Sequence, residues 1–221
     1  MKRNSAMRTV ASTFGVLVGL AGIEHGIFEV LQGNVKPDGL IIDAIGPAQR
    51  FWEYSSETAL TIIPNLLLSG ILAVIFGLAV TVWAVYYVDK RYGARVLMLL
   101  SIILWLVGGG FAPLLMAVFA FLAASRIGRP LNWWRTHLPD FLRDLLARLW
   151  PWSIIIYVLS FVIGVEIAVF GYPLLWFFSA EVTYSIQWTL AYVMVALWPI
   201  SLLTAIAHDI INMHAPESNT I

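Results

Sequence analysis

"VLMLLSIILWLVGGGFAPLLMAVFAFLAA", residues 96–124, decides how this chain folds. At about 1.5 Å of rise per residue it is long enough to cross the roughly 30 Å hydrocarbon core of a bilayer as one helix. Its middle, "GGGFAP" at 108–113, holds three Gly and a Pro where a spanning helix would be most regular. Two readings follow. One is a kinked single span. The other is a hairpin of two half-helices that enters and leaves on the same side. Irregular backbone at that depth is tolerated only where other helices bury it.

The rest of the chain supplies those helices. The 221 residues are 60% hydrophobic and 12% charged, against about 25% charged in soluble domains. Further apolar segments run over 9–31, 59–88, 153–172 and 183–207. None shows the alternation of a barrel strand. The stretch 138–150, "LPDFLRDLLARLW", places Leu138, Phe141, Leu142, Leu145, Leu146, Leu149 and Trp150 on one stripe and its charges on the other. That pattern predicts an amphipathic helix at the membrane interface. The expected fold class is all-α. It is a polytopic bundle forming one transmembrane domain over 1–221, with four full transmembrane helices and a broken third segment. The start "MKRNSAMR" before an apolar run has the outline of a signal peptide, but Leu20 in "LAG" spoils the cleavage site. The segment is read as a retained helix, and "APESNTI" at the end as a solvated tail.

Lys and Arg set the orientation, because they remain on the cytoplasmic side. With five spans they show no bias. With a returning third segment, eleven fall inside, and only Lys36 and Arg50 fall outside. The hairpin is therefore favoured. Either reading puts the N-terminus in the cytoplasm of a multi-pass protein of the cell (plasma) membrane.

Polar residues inside spans are costly and mark function. The first segment holds Glu24, His25 and Glu29 in "GLAGIEHGIFEVLQG". His25 and Glu29 are four apart and share a helix face beside a stripe of Gly15, Gly19, Gly22 and Gly26. That stripe is a candidate helix–helix or homo-oligomer contact, with the lipid bilayer as the other partner. Glu57, Thr61 and Asn65 are expected on one face at the start of the second span, Glu166 in the fourth and Gln187 in the fifth. The expected ligand or proton site is an outward-facing polar pocket of Glu24, His25, Glu29, Glu57, Asn65, Glu166 and Gln187, with Glu24, His25 and Glu166 sharing one depth. Such a pocket suits a cation or small polar solute, in transport or sensing.

Other classes remain open or fall away. A structural or accessory subunit and a membrane-embedded metal or acid–base enzyme are the alternatives. No H-E-x-x-H, E-x-x-H, G-x-S-x-G, P-loop or Rossmann pattern is present. No catalytic residue or cofactor is assigned. His25 and His208 lie near opposite faces of the membrane, which argues against a haem between them. Adjacent His208 and Asp209 diverge by 100° and are expected not to pair. The absence of Cys excludes disulfides and thiolate metal sites, and the zero net charge argues against nucleic-acid binding.

Overall fold

The computed structural model describes residues 5–212. Lys2, Arg3, His214 and the "APESNTI" tail lie outside them. Seven α-helices make up the described chain: α1 Ser5–Gln32, α2 Leu66–Tyr86, α3 Gly93–Leu106, α4 Phe111–Ala124, α5 Asn132–His137, α6 Asp140–Phe170 and α7 Ala180–Asn212. A two-stranded antiparallel ribbon, β1 Ile41–Asp43 and β2 Thr58–Leu60, sits between α1 and α2. Four helices (α1, α2, α6 and α7) are long and apolar enough to cross a membrane. This is a multi-pass helical membrane bundle.

α1 is the hub, packed by α2, α3, α4 and α7, while α6 pairs with α7. α2 shows why the sequence packs this way. Its buried stripe is mostly small: Ser69, Gly70, Ala73, Gly77, Val80 and Ala84. Its exposed stripe is large: Leu68, Ile71, Ile75, Leu78 and Val82. Lipid solvates large aliphatic side chains as well as a protein core does, so helix contacts go instead to the residues that permit close approach. The Gly stripe of α1 completes the match. A Cβ on Gly19 would lie 2.5 Å from the Gly77 carbonyl oxygen, and one on Gly26 would lie 2.7 Å from that of Gly70. Gly15 faces Ala84 and Leu97, and Gly22 faces Leu104. The stripe is thus filled within the chain by α2 and α3.

The broken segment is a hairpin. Trp83 near the end of α2 donates its indole N–H to the Gly93 carbonyl, which anchors the start of α3 (2.9 Å). Residues Phe121–Arg129, at the end of α4, share a cavity with the Val88–Arg95 loop. Both ends of the segment therefore meet at one end of the bundle. The turn at 107–110 lies at the opposite end, roofed by the chain after β2. There Ile62 N–H donates to Leu106 O, Gly108 N–H to Leu60 O, Gly109 N–H to Leu104 O and the Ser69 hydroxyl to Val107 O. These partners meet the requirement that buried irregular backbone be hydrogen-bonded.

Some segment boundaries differ from those read in the sequence. The second span starts at Leu66 rather than 59, because Thr58–Leu60 is used as a strand. Asn65 is its N-cap, accepting from Leu68 N–H (3.0 Å) and donating to the Asn34 side chain. The amphipathic stretch is helical but runs unbroken through Pro151 into the fourth span. At 31 residues, α6 is about 46 Å long, so its charged first turns extend beyond the hydrocarbon.

His208 and Asp209 do approach each other, at 3.8 Å. Both side chains are long enough to bend around the helix surface, so the 100° offset of their Cβ atoms does not keep them apart. Asp209 has a larger structural role: its carboxylate accepts the backbone N–H groups of Ala6 and Met7, both at 3.0 Å. It caps α1 from another helix and ties the two terminal helices together. Asp209→Ala leaves both buried donors bare and is expected to cost about 2–4 kcal/mol, read as a lowered melting midpoint in detergent.

Single Cys residues placed in this Cys-free chain test the hairpin. Positions in the 88–92 and 126–131 loops are expected to react with an impermeant thiol reagent from the same membrane face. Opposite faces would mean that α3 and α4 cross as one span.

Candidate functional site

The far end of α1, the start of α4, the second half of α6 and the first half of α7 line a cavity of about 370 Å³. α1 contributes Ala21, Glu24 and His25, and the loop before β2 contributes Ser56 and Glu57. The walls are mainly apolar and aromatic, with Phe111, Met116, Tyr157, Phe161, Trp188 and Trp198 among them. A mostly apolar cleft with a few convergent polar groups is the usual form of a small-molecule site.

His25 is the centre of the polar end. It is buried, with Nδ1 3.1 Å from a Glu24 carboxylate oxygen and 2.9 Å from the Ala21 carbonyl oxygen. Nε2 lies 3.8 Å from a Glu57 carboxylate oxygen. The second Glu24 oxygen and the Gln187 side-chain oxygen are buried and have no hydrogen-bond partner among the described residues. Both residues line the cavity, and an unsatisfied buried oxygen beside it raises the negative potential at that wall. At the opposite end Trp198 donates its indole N–H to the Tyr157 hydroxyl (3.1 Å), which donates in turn to the Met116 sulfur.

Glu57 stands outside the spans and is placed by Asp43. One Asp43 oxygen accepts the Glu57 N–H (3.0 Å) and the Ile45 N–H; the other accepts from Ser56 and Arg50. Burial pushes the Glu57 carboxyl up to about 7; His25 opposes that rise, and Glu24 and Asp43 add to it. The same loop is tied to α6. Trp52 donates to the Ala168 carbonyl (3.1 Å) and Ser55 to that of Val169 (2.9 Å), two of the free carbonyls at the helix end.

The structure brings together Glu24, His25, Glu57 and Gln187. It separates the other three. Glu29 is fully buried but lines no part of the cavity. His25 turns to Glu24 and Glu57 rather than to Glu29, with which it shares a helix face. Gly108 lies directly against the Glu29 carboxyl, and a Cβ on Gly110 would be 2.6 Å from His25 Nε2. The turn at 108–110 thus passes close to both side chains. Asn65 is a cap. Glu166 is exposed on α6, whose cavity face is Phe161, Gly164, Val165 and Ala168. The shared depth expected for Glu24, His25 and Glu166 therefore does not make a shared site, because residue 166 points about 100° away from 165 and further from 164 and 168.

Sequence reasoning missed Asp43 and the Tyr157–Trp198 pair. An Asp two residues before a free backbone N–H is a turn signal that could have flagged Asp43. Nothing local marks the aromatic pair, which comes from two helices.

Gly108 and Gly110 have φ of +105° and +80°. Gly110→Ala combines that strain with a clash into His25. It is expected to lower stability by about 1–3 kcal/mol and to disturb the site, measured as detergent melting alongside ligand binding. The chain matches no known protein family, no curated protein and no solved structure.

Proposed function

We propose that this protein binds a small amphipathic organic cation in the cavity between the α1/α4 and α6/α7 pairs, for transport or sensing. The observation that carries this reading is the pairing of two carboxylates, one with a buried unpartnered oxygen, with an aromatic-walled cavity of ligand size. Aromatic faces attract cations, most strongly where water is excluded. The sequence expectation of a polar pocket for a cation or small polar solute is thereby narrowed: the walls favour an apolar body and the acids a positive head. Among the described residues no group of three His, Asp or Glu side chains is arranged to hold a metal ion, which favours an organic cation over a bare one.

Orientation follows the charge rule. The end bearing the starts of α1, α3 and α6 and the chain between α4 and α6 faces the cytoplasm, and the cavity lies toward the outside. The location is the plasma membrane.

The test is a thermal shift of the purified chain with three probes of similar shape: benzyltrimethylammonium, its neutral carbon analogue neopentylbenzene, and phenylacetate. Only the cation is expected to raise the melting midpoint, and Glu24→Gln with Glu57→Gln should remove the rise. An equal response to the neutral analogue would show that the acids take no part.

A further inference from the structure

The hairpin return has a second consequence at the terminal end of the bundle. The Val88–Arg95 loop and the end of α4 enclose a cavity of about 780 Å³. Its lining carries Lys90, Arg91 and Arg95 from one side and Arg126 and Arg129 from the other. Asp89 is the one carboxylate in the lining. It is buried and already engaged, 3.5 Å from Arg8 and 4.0 Å from Lys90. The floor is apolar, with Val88, Phe121 and Ile127.

Two further observations indicate what the cations face. Arg91 lies over the Tyr92 ring at 5.2 Å, which stiffens its guanidinium while leaving its edge donors unused by the ring. Lys90, Arg91 and Arg95 also crowd the start of α3, whose first turn contains no acidic residue. The partial positive charge of a helix N-terminus disfavours cations and favours an anion. Like charges gathered at that helix end repel one another, and an anion of several charges would relieve more of that repulsion than the single Asp89 carboxylate does.

We propose that this cavity binds a phosphate-bearing group of two or more negative charges. An anionic phospholipid and a soluble polyphosphate share that chemistry. The apolar floor gives a lipid's glycerol and first methylenes a surface, and basic pockets on the cytoplasmic side of membrane bundles suit such head groups. Arginine forks bind phosphate oxygens in pairs, which fixes the head group as well as attracting it.

The full-length chain is reconstituted in nanodiscs of phosphatidylcholine, with or without 10% cardiolipin, and separately titrated in detergent with inorganic pyrophosphate. Cardiolipin is expected to raise the melting midpoint and to remain bound by native mass spectrometry. Arg91→Gln with Arg95→Gln should weaken that binding by roughly tenfold or more, while Arg50→Gln at the other end leaves it unchanged. If the double variant fails to fold, the unmodified protein decides through salt. Binding should weaken steeply between 50 and 200 mM NaCl, because exposed cations are screened. A response to pyrophosphate and not cardiolipin assigns the same site to a soluble ligand. Silence with both probes, equal stabilisation by phosphatidylcholine, or salt-independent binding would overturn the proposal.

Discussion

Gly19→Leu is expected to push α2 off α1 and to lower stability by about 3 kcal/mol or more, the upper range for overpacking. Even a single added carbon at this position would press on backbone: it would lie 2.5 Å from Gly77 O and 2.9 Å from Thr81 N. A rigid helix cannot yield there without moving as a whole. Gly22 offers an internal comparison. A Cβ on it would meet the Leu104 side chain at 2.6 Å, and a leucine end can change rotamer. Gly22→Ala should therefore be milder than Gly19→Ala. Melting curves in one detergent rank the variants. If Gly22→Ala proves the worse of the two, the α1–α2 backbone contact is not what holds the bundle.

The second large effect is on the binding of the proposed cation and depends on pH. The Glu57 carboxyl, raised to about 7 by burial, faces Glu24 and His25 from α1 and Asp43 from β1. Only its ionised form attracts a cation. Affinity for benzyltrimethylammonium should thus fall as pH drops below about 7, by up to roughly tenfold per pH unit. Glu57→Gln should weaken binding and flatten this profile.

Stability of the empty protein runs the other way. A carboxyl with an ordinary value of 4.5 that rises to about 7 on folding holds its proton more tightly in the folded state. Its contribution is fully present below 4.5 and is lost as pH rises to about 7. Melting midpoints should therefore decline over that interval in the natural protein and less so in Glu57→Gln. A cation affinity that does not change with pH in the natural protein would detach Glu57 from the site. Asp43→Ala, which frees the Glu57 backbone without touching the cavity, should weaken cation binding more than it lowers stability.

Most of the architecture was legible in residue order. Apolar run length marks membrane helices because the bilayer leaves backbone groups no other partners, and "GGGFAP" marks a break because Gly and Pro weaken a helix. The charge asymmetry added the choice of hairpin over span. The Gly stripe on α1 was visible as a periodicity, although its partner was not: only the fold shows that Gly70 and Gly77 of α2 answer it.

The site was legible only in part. Glu24, His25 and Gln187 were found because polar groups in apolar segments stand out, whereas Glu57 was picked as the start of a second span that begins only at Leu66. Depth along a helix follows from counting residues, so Glu24 and Glu166 could be set at one level. Facing does not follow, because it depends on which neighbours a helix meets. α6 turns Val165 and Ala168 to the cavity and leaves Glu166 exposed. Likewise His25 meets Glu24 and Glu57, the latter from a loop the sequence did not place beside it, while a glycine turn from a distant segment lies against both His25 and Glu29. By itself the sequence determined the solvent, the helices and the polar inventory, which are properties of local composition. The tertiary structure decided which of those polar groups meet, because that rests on helix rotation and on contacts between segments far apart in the chain.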